Sequence, residues 1–157
     1  MNDEELRSAC LELMAIADTV YLAVSEAEGY PRIRAMLNLR NRIEYPDHAH
    51  LYEEHDGDFM VYLVTNTSSK KRADIAANPR IGLYYRHPDK RFGMSLVGDA
   101  EIVEEAVTKE AVWVEGWEVY FPTTGRPNDP DYTLLRLFPI HARGWTGSET
   151  FALDLGG

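Results

Sequence analysis

The sequence LVTNTSSKKRADIAANP (residues 63–79) joins an apolar run to a short helix whose first turn carries three cations. Ser68 and Ser69 are typical of a helix N-terminus, and Asn78-Pro79 is typical of a helix end. The turn between them begins Lys70-Lys71-Arg72. Because aligned peptide dipoles already place about half a positive charge at a helix N-terminus, three cations at this position predict that the protein binds an anion there.

The residues before the cations indicate which anion this is. Thr65, Asn66, Thr67, Ser68 and Ser69 are five consecutive side chains that can hydrogen-bond a phosphate oxygen. The first turn of a helix also presents unpaired backbone N–H groups. A solvated run of charges is the alternative interpretation, but the combination favours a phosphate monoester. Neither a GxxxxGK[ST] motif nor a GxGxxG motif is present, so this is not one of the common nucleotide loops.

Outward from this stretch, alternating and apolar runs predict strands at 20–25, 32–39, 59–65, 81–86, 92–103 and 132–138. Helices are predicted at 3–18 and 104–116, with a loop and a short helix around Leu51 at 41–57. Residues 142–145 are a further short strand candidate, and the tail after them has no strong pattern. The sequence therefore predicts one mainly β domain over 1–157, an antiparallel barrel with flanking helices. Arg34 would join the phosphate site if its strand lies beside residues 59–65.

Composition limits the function. A formal charge of -10 and a pI near 4.9 argue against nucleic-acid binding. Cys10 is the only cysteine, so one chain can form neither a disulfide nor a thiolate metal cluster. No leader-like N-terminus and no run of 18 apolar residues is present. We therefore expect a cytoplasmic protein without a membrane segment.

The order of four segments resembles a known family. GYPRIRAML, FMVYLVTNTSSKKRADIAANPRIGLYY, FGMSLVGDAEIV and DYTLLRLFPIHARGW are similar to the pyridoxamine 5'-phosphate oxidase-like, FMN-binding split-barrel superfamily, and most similar to its general stress protein branch. The likeness runs from about residue 20 to residue 145. It implies a six-stranded antiparallel split β-barrel and a homodimer with two FMN sites in clefts at the interface.

The resemblance also assigns roles to individual residues. Arg34 corresponds to an arginine that meets the FMN phosphate, and Ser69, Lys70 and Lys71 correspond to a phosphate clamp. The flavin ring would lie along Met36 and Leu37, beside the turn at Thr65 and Asn66. Trp145 corresponds to an aromatic residue that borders the flavin across the interface.

Three departures from the family bear on activity. Leu39 replaces a lysine of the oxidases that act on pyridoxamine phosphate, and Gly93 stands where a glutamine is expected near the flavin. The sequence TGSETFALDLGG follows Trp145 in place of an arginine- and histidine-containing substrate motif. The resemblance therefore implies FMN binding without true pyridoxamine 5'-phosphate oxidase activity.

The expected function is that of a flavin-dependent oxidoreductase, which passes a hydride or electrons from NAD(P)H to a small acceptor that the sequence does not identify. No catalytic side chain is nominated. An F420-dependent reductase of the same fold and a non-catalytic stress protein that binds flavin or haem are the alternatives.

Two further clusters are candidates for function. His48, His50 and His55 could bind a metal, but exposed loop histidines are the favoured interpretation and no metal site is predicted. Trp113, Trp117, Tyr120 and Phe121 could wall a substrate pocket, although helix packing or dimer contact is favoured.

Overall fold

Strands and short helices follow one another largely where the sequence predicts them. The computed structural model describes residues 1–55 and 57–156. The elements in chain order are α1 (Asp3–Ile16), β1 (Thr19–Ser25), β2 (Pro31–Leu37), a 3₁₀ helix (Pro46–His55), β3 (Val61–Asn66), α2 (Lys70–Ala77), β4 (Arg80–Arg86), β5 (Phe92–Val103), α3 (Ala106–Val112), a short 3₁₀ helix (Trp117–Val119), β6 (Tyr132–Leu137), β7 (His141–Thr146) and β8 (Glu149–Asp154).

Six of the strands form one curled antiparallel sheet in the order β2-β1-β4-β5-β6-β3. Its two end strands, β2 and β3, are not hydrogen-bonded to each other but lie in contact, so the sheet closes into a barrel with a split between them. The predicted antiparallel split barrel with flanking helices is confirmed. The strand that carries Arg34 and residues 61–66 consequently lie on opposite sides of the split rather than in a strand pair.

Two strands beyond the predicted six, β7 and β8, form an added hairpin on β5. β7 contains the further strand candidate at residues 142–145, whereas β8 is not predicted. The tail has no pattern that predicts a strand. It nevertheless pairs residue by residue with β7, from Thr146 opposite Glu149 to His141 opposite Asp154. An available strand edge, rather than local sequence preference, explains β8.

One edge of β5 changes partner halfway along the strand. Residues 92–97 pair with β7 and residues 100–103 pair with β6. The chain that leaves β6 passes directly over Gly98, where an added Cβ would lie 2.8 Å from Leu137 Cδ1 and 3.1 Å from the carbonyl oxygen of Phe138. Glycine at this position lets the chain cross from one partner to the other.

Two groups of buried side chains stabilise the fold. The barrel core lies between α1 and the inner face of the sheet and includes Leu13 and Met14 of α1 and Leu22, Leu83 and Leu96 of the strands. The outer core lies on the opposite side of β3 and β6 and includes Met60, Val112, Trp117, Phe121 and Tyr132. Burial of apolar area provides most of the favourable free energy of folding in both cores. None of the described helices combines the length and the apolar character needed to cross a membrane.

Candidate functional site

A groove of about 330 Å³ opens where the split separates the end of β2 from the end of β3. Its lining includes residues from both strands, with Ala35, Met36 and Leu37 on one side and Val64, Thr65 and Asn66 on the other. Lys71 of α2 lies at the same groove. The structure therefore brings together five of the residues expected to bind the cofactor: Met36, Leu37, Thr65, Asn66 and Lys71.

Aromatic side chains from the cluster that the sequence offers as a possible pocket wall form a further side of the groove. Trp117, Tyr120 and Phe121 line the groove. Trp117 and Phe121 are buried in the outer core, where both lie against Tyr132, whereas Tyr120 is 54% exposed. Trp117 and Phe121 pack in the outer core, as the favoured interpretation of this cluster expects. Both residues and Tyr120 also line the groove, which is the alternative interpretation. The two roles are compatible because a side chain can pack on one face and line a groove with the other.

The basic turn begins α2 as predicted. Ser69 is the N-cap residue, and its Oγ accepts a hydrogen bond from the backbone N–H of Arg72 at 3.2 Å. The Ser69 hydroxyl is also 3.3 Å from the Thr65 hydroxyl. Since serine is among the preferred N-cap residues, this contact explains why the helix starts at Lys70. It also fixes the first turn of α2 against the end of β3.

Arg34 and Lys71 are two neighbouring cations at this end of the split. Burial lowers the pKa of the Lys71 ammonium below its ordinary value of 10.5, and the positive charge of Arg34 lowers it further. Among residues 1–55 and 57–156, neither side chain forms a salt bridge. Two unpaired like charges repel each other, so an anion bound between them would be stabilised by both.

Lys70 is arranged differently from Lys71. Its Nζ lies 3.3 Å from Asp74 Oδ1, one helical turn further along α2. The expected clamp role of Lys70 therefore competes with an ion pair inside the helix. Arg72 is half-buried, and its Nε atom has no hydrogen-bond partner within the described part of the chain.

A carboxylate that no sequence motif predicts organises the turn between β3 and α2. Asp131 Oδ1 accepts the backbone N–H of Ser68 at 2.8 Å, and Asp131 Oδ2 accepts the side-chain amide of Asn66 at 2.7 Å. The backbone carbonyl of Asp131 accepts the N–H of Thr67 at 2.7 Å. The hydrogen bonds from Ser68 and Asn66 lower the pKa of the Asp131 carboxyl below its ordinary value of 3.8. The only signal in the sequence is its place directly before β6.

These contacts reduce the set of phosphate-binding side chains suggested by the sequence. The Thr67 hydroxyl bonds to that of Thr133 at 2.6 Å, and the Asn66 amide also donates to the carbonyl oxygen of Tyr120 at 3.2 Å. With the Thr65 and Ser69 contact, four of the five side chains have partners inside the chain. Ser68 keeps an exposed side chain.

Asp129 holds the backbone of Asp131 in place through a hydrogen bond. This residue is 1% exposed, and its carboxylate accepts the backbone N–H groups of Thr124, Gly125 and Asp131 at 2.7, 3.2 and 2.9 Å. Burial alone would raise the pKa of the Asp129 carboxyl, but the three N–H donors lower it overall. The loop before β6 is thus built around a charged group whose hydrogen bonds are satisfied.

Trp145 does not lie at the groove of its own chain. It is on β7, opposite Gly93 of β5, and therefore belongs to the outer face of the sheet. The same face carries Tyr21, Ile33 and Tyr84, of which Ile33 is 72% exposed. The expected contact of Trp145 with a flavin therefore depends on a second chain.

Gly93 is unable to hold a larger side chain in this arrangement. A Cβ at Gly93 would overlap the Tyr84 hydroxyl and lie 3.3 Å from Trp145 Nε1. Tyr84 thus fills the space that the glutamine expected from the family would enter. Glycine at position 93 therefore goes together with the tyrosine at position 84, because a larger residue at 93 would collide with the Tyr84 side chain.

The three histidines do not form a common site. His48 is buried and donates from Nε2 to the Val112 carbonyl at 2.8 Å, while His50 donates to the Asp47 carbonyl at 2.7 Å. His55 lies 3.2 Å from Asp58. Over residues 1–55 and 57–156, no three histidine, cysteine or carboxylate side chains come together as metal ligands.

Two of the larger surface cavities are less suited than the groove to a phosphate ligand. One, of about 470 Å³, is lined by Glu104 and Glu110 beside Lys109, whose ammonium is occupied by the Tyr132 carbonyl. The other, of about 560 Å³, lies on the outer face of the sheet near Arg80 and Asp99. The split combines apolar walls and hydroxyl groups with Lys71, a cation that has no salt bridge within the described part of the chain.

The sequence and fold both match known proteins. The family described as "Pyridoxamine 5'-phosphate oxidase like" matches residues 34–154. A structure of a protein related to general stress protein 26, of the pyridoxinephosphate oxidase family, from Clostridium acetobutylicum is similar at 28% identity and a TM-score of 0.76, covering 98% of this chain and 97% of that chain. General stress protein 26 from Bacillus anthracis is similar at 21% identity and a TM-score of 0.67, covering 95% of this chain and 99% of that chain.

A third similar structure is that of a protein named for FMN binding. The pyridoxamine 5'-phosphate oxidase-related, FMN binding protein from Nostoc punctiforme is similar at 14% identity and a TM-score of 0.56, covering 98% of this chain and 95% of that chain. At this identity the likeness concerns the fold alone. No functionally curated protein matches the sequence.

Proposed function

Because this chain belongs to the pyridoxamine 5'-phosphate oxidase-like family, we propose that it binds FMN in the split of the barrel and acts as a flavin-dependent oxidoreductase on a small molecule. The observation that carries the proposal is Lys71 in the wall of a largely apolar groove, with the positive charge of Arg34 acting on it and no salt bridge to either cation within residues 1–55 and 57–156. A cofactor with a phosphate at one end and a flat ring at the other matches this arrangement.

The residues present fit FMN in chemical terms. Arg34 and Lys71 would hold the phosphate, together with the first turn of α2 behind Ser69. The ring would lie among the apolar groups of the groove, which include Met36 and Leu37 of β2 and Val64 of β3. The bound flavin would supply the hydride and electron transfer, while the chain's own part is to bind, orient and shield it.

Homodimerisation is part of the proposal. The outer face of β1 and β2 presents exposed apolar side chains at Tyr21, Ile33 and Leu37. Exposed apolar patches of this kind mark interaction surfaces. Trp145 lies on the same face, so a partner chain covering it would place that residue near the partner's groove. Analytical ultracentrifugation of the purified protein tests the dimer.

An absorption spectrum of the purified protein tests the cofactor. Bands of oxidised flavin, together with release of FMN after denaturation, would support the proposal. A Soret band would support the haem-binding alternative, and preferential binding of added F420 would support the deazaflavin alternative. A colourless protein that fails to take up added FMN would contradict the proposal. Assays with NADH or NADPH and a panel of small acceptors then test turnover.

The strength of FMN binding should depend on pH through Lys71. Below about pH 6 the phosphate carries a single charge, so affinity should fall there. The lowered pKa of Lys71 places its loss of charge below 10.5. Since a bound phosphate favours the charged ammonium, FMN affinity should be highest between these limits and decline as pH rises through the Lys71 pKa.

Fluorescence titrations of FMN and riboflavin from pH 5 to about pH 10.5 measure this dependence. The ratio of the two affinities isolates the phosphate and cancels any ionisation of the ring. In Lys71→Arg the cation keeps its charge throughout this range, so the alkaline decline should disappear. An alkaline decline that persists unchanged in this variant would exclude Lys71 as its origin.

A further inference from the structure

The turn between β3 and α2 is fixed by a residue that lies 65 positions further along the chain than Asn66. Asp131 bonds to three consecutive residues of that turn: the side chain of Asn66 at 2.7 Å, the backbone N–H of Thr67 at 2.7 Å and the backbone N–H of Ser68 at 2.8 Å. Ser69, the N-cap of α2, follows directly. Asp131 thus supplies three of the hydrogen bonds that set the path of the chain into the basic helix.

Asp131 is itself held in place. Its backbone N–H donates to buried Asp129 at 2.9 Å, and the same Asp129 carboxylate organises the loop at Thr124 and Gly125. The carboxylate of Asp131 is therefore presented from a loop whose polar groups are already satisfied. It is a preorganised support rather than a mobile surface charge.

The same contacts reach the aromatic wall. The Asn66 amide that donates to Asp131 also donates to the carbonyl oxygen of Tyr120 at 3.2 Å. Asn66 and Tyr120 both line the groove. Asp131 thus connects the turn before the cations to the wall opposite β2, although it does not itself line the groove.

We propose that Asp131 is a positioning residue for the phosphate end of the site: it holds the turn at residues 66–68 so that Ser69 and Lys71 face the ligand phosphate. The inference rests on the proposed FMN site but concerns a residue outside the ligand's reach. Its carboxylate accepts the Ser68 N–H and the Asn66 amide, which reduces its repulsion of an anion at the site.

The test compares FMN with riboflavin, which lacks the phosphate. Fluorescence titration should show that Asp131→Ala binds FMN about ten- to hundredfold more weakly, while riboflavin affinity changes by less than about threefold. General damage to the fold would lower both affinities alike. In Asp131→Asn one oxygen can still accept from Ser68, so the loss of FMN affinity should be smaller.

Asp58→Ala is the matched control. Asp58 also accepts a backbone N–H, that of Phe59 at 2.8 Å, but lies before the opposite end of β3. Its removal should leave the ratio of FMN to riboflavin affinity unchanged. If Asp131→Ala retained the wild-type ratio, or bound FMN more tightly because a negative charge had been removed, the positioning role would be wrong.

Amide hydrogen exchange of the flavin-free protein separates this inference from the proposed function. The Ser68 amide should exchange slowly in the wild type and at least about tenfold faster in Asp131→Ala, whereas the Phe59 amide should respond only to Asp58→Ala. Should Asp131→Ala fail to fold, Asp131→Asn is measured in its place. Wild type that binds FMN no better than riboflavin would overturn the phosphate site, whereas an unchanged Ser68 exchange rate would overturn the role of Asp131.

Discussion

The variant Arg34→Ala/Lys71→Ala should bind FMN about 3–6 kcal/mol more weakly than the wild type, the sum expected when two charge-assisted contacts with a phosphate are lost. Riboflavin affinity should change little, because the sugar and ring do not need these cations. Since neither cation has a salt-bridge partner among residues 1–55 and 57–156, the flavin-free variant should melt at or slightly above the wild-type temperature. Titration calorimetry and thermal melts measure the two effects.

Arg32→Ala/Arg42→Ala is the control for net charge. It removes the same two positive charges, but Arg32 is paired with Glu26 at 2.7 Å and Arg42 with Glu12 at 2.6 Å. FMN affinity should stay close to that of the wild type. Equal losses in the two double variants would mean that overall charge, rather than a phosphate site at the split, determines binding.

Gly144→Ala should destabilise the protein by at least about 3 kcal/mol, because the added methyl group has no space. A Cβ at Gly144 would overlap the carbonyl oxygen of Gly93 and would lie 2.8 Å from Phe151 Cζ. The carbonyl belongs to the paired backbone of β5, so relief requires β7 to move away from β5. Urea unfolding measured with wild type and variant side by side gives the free energy of unfolding.

Two other glycine variants calibrate this result. At Gly82, on β4, a Cβ would meet its nearest neighbours at an ordinary 3.9 Å, so Gly82→Ala should change stability by less than about 1 kcal/mol. At Gly93 the obstacle is the Tyr84 hydroxyl, the far end of a side chain that can turn away. Gly93→Ala should therefore fall between the other two, and a Gly144→Ala variant as stable as Gly82→Ala would contradict the close approach of β5 and β7.

Most helices and strands are predictable because side-chain alternation and helix capping depend on residues close together in the sequence. Alternating runs place β1, β4 and β5 on the barrel, and Ser69 followed by three cations marks the start of α2. β8 is not predictable in this way, because its pairing partner β7 decides its conformation. The split barrel itself follows from the order of four motifs rather than from the period of any strand.

Some residues of the candidate site are likewise predictable from the sequence, and others are not. Lys71, Thr65 and Asn66 lie within one stretch of sequence. The resemblance adds Met36 and Leu37, which line the same groove, and Arg34, whose charge acts on Lys71. The separation of Lys71 from Lys70 is not visible in the sequence, since it depends on an ion pair with Asp74. Nor is the anchor at Asp131, whose partners lie 63 and 65 residues away.

The two walls of the groove are built on different cores. Met36 packs against the barrel core, whereas Val64, Trp117 and Phe121 belong to or pack against the outer core. Although β3 and β6 contribute side chains to both cores, local unfolding can loosen one wall of the groove without the other. A ligand bound in the split would contact both walls. The two walls could then open only together, because opening either one would break contacts with the ligand. Flavin binding should therefore make thermal unfolding more cooperative. The melting transition should become sharper, and residues 113–131 should become more resistant to proteolysis.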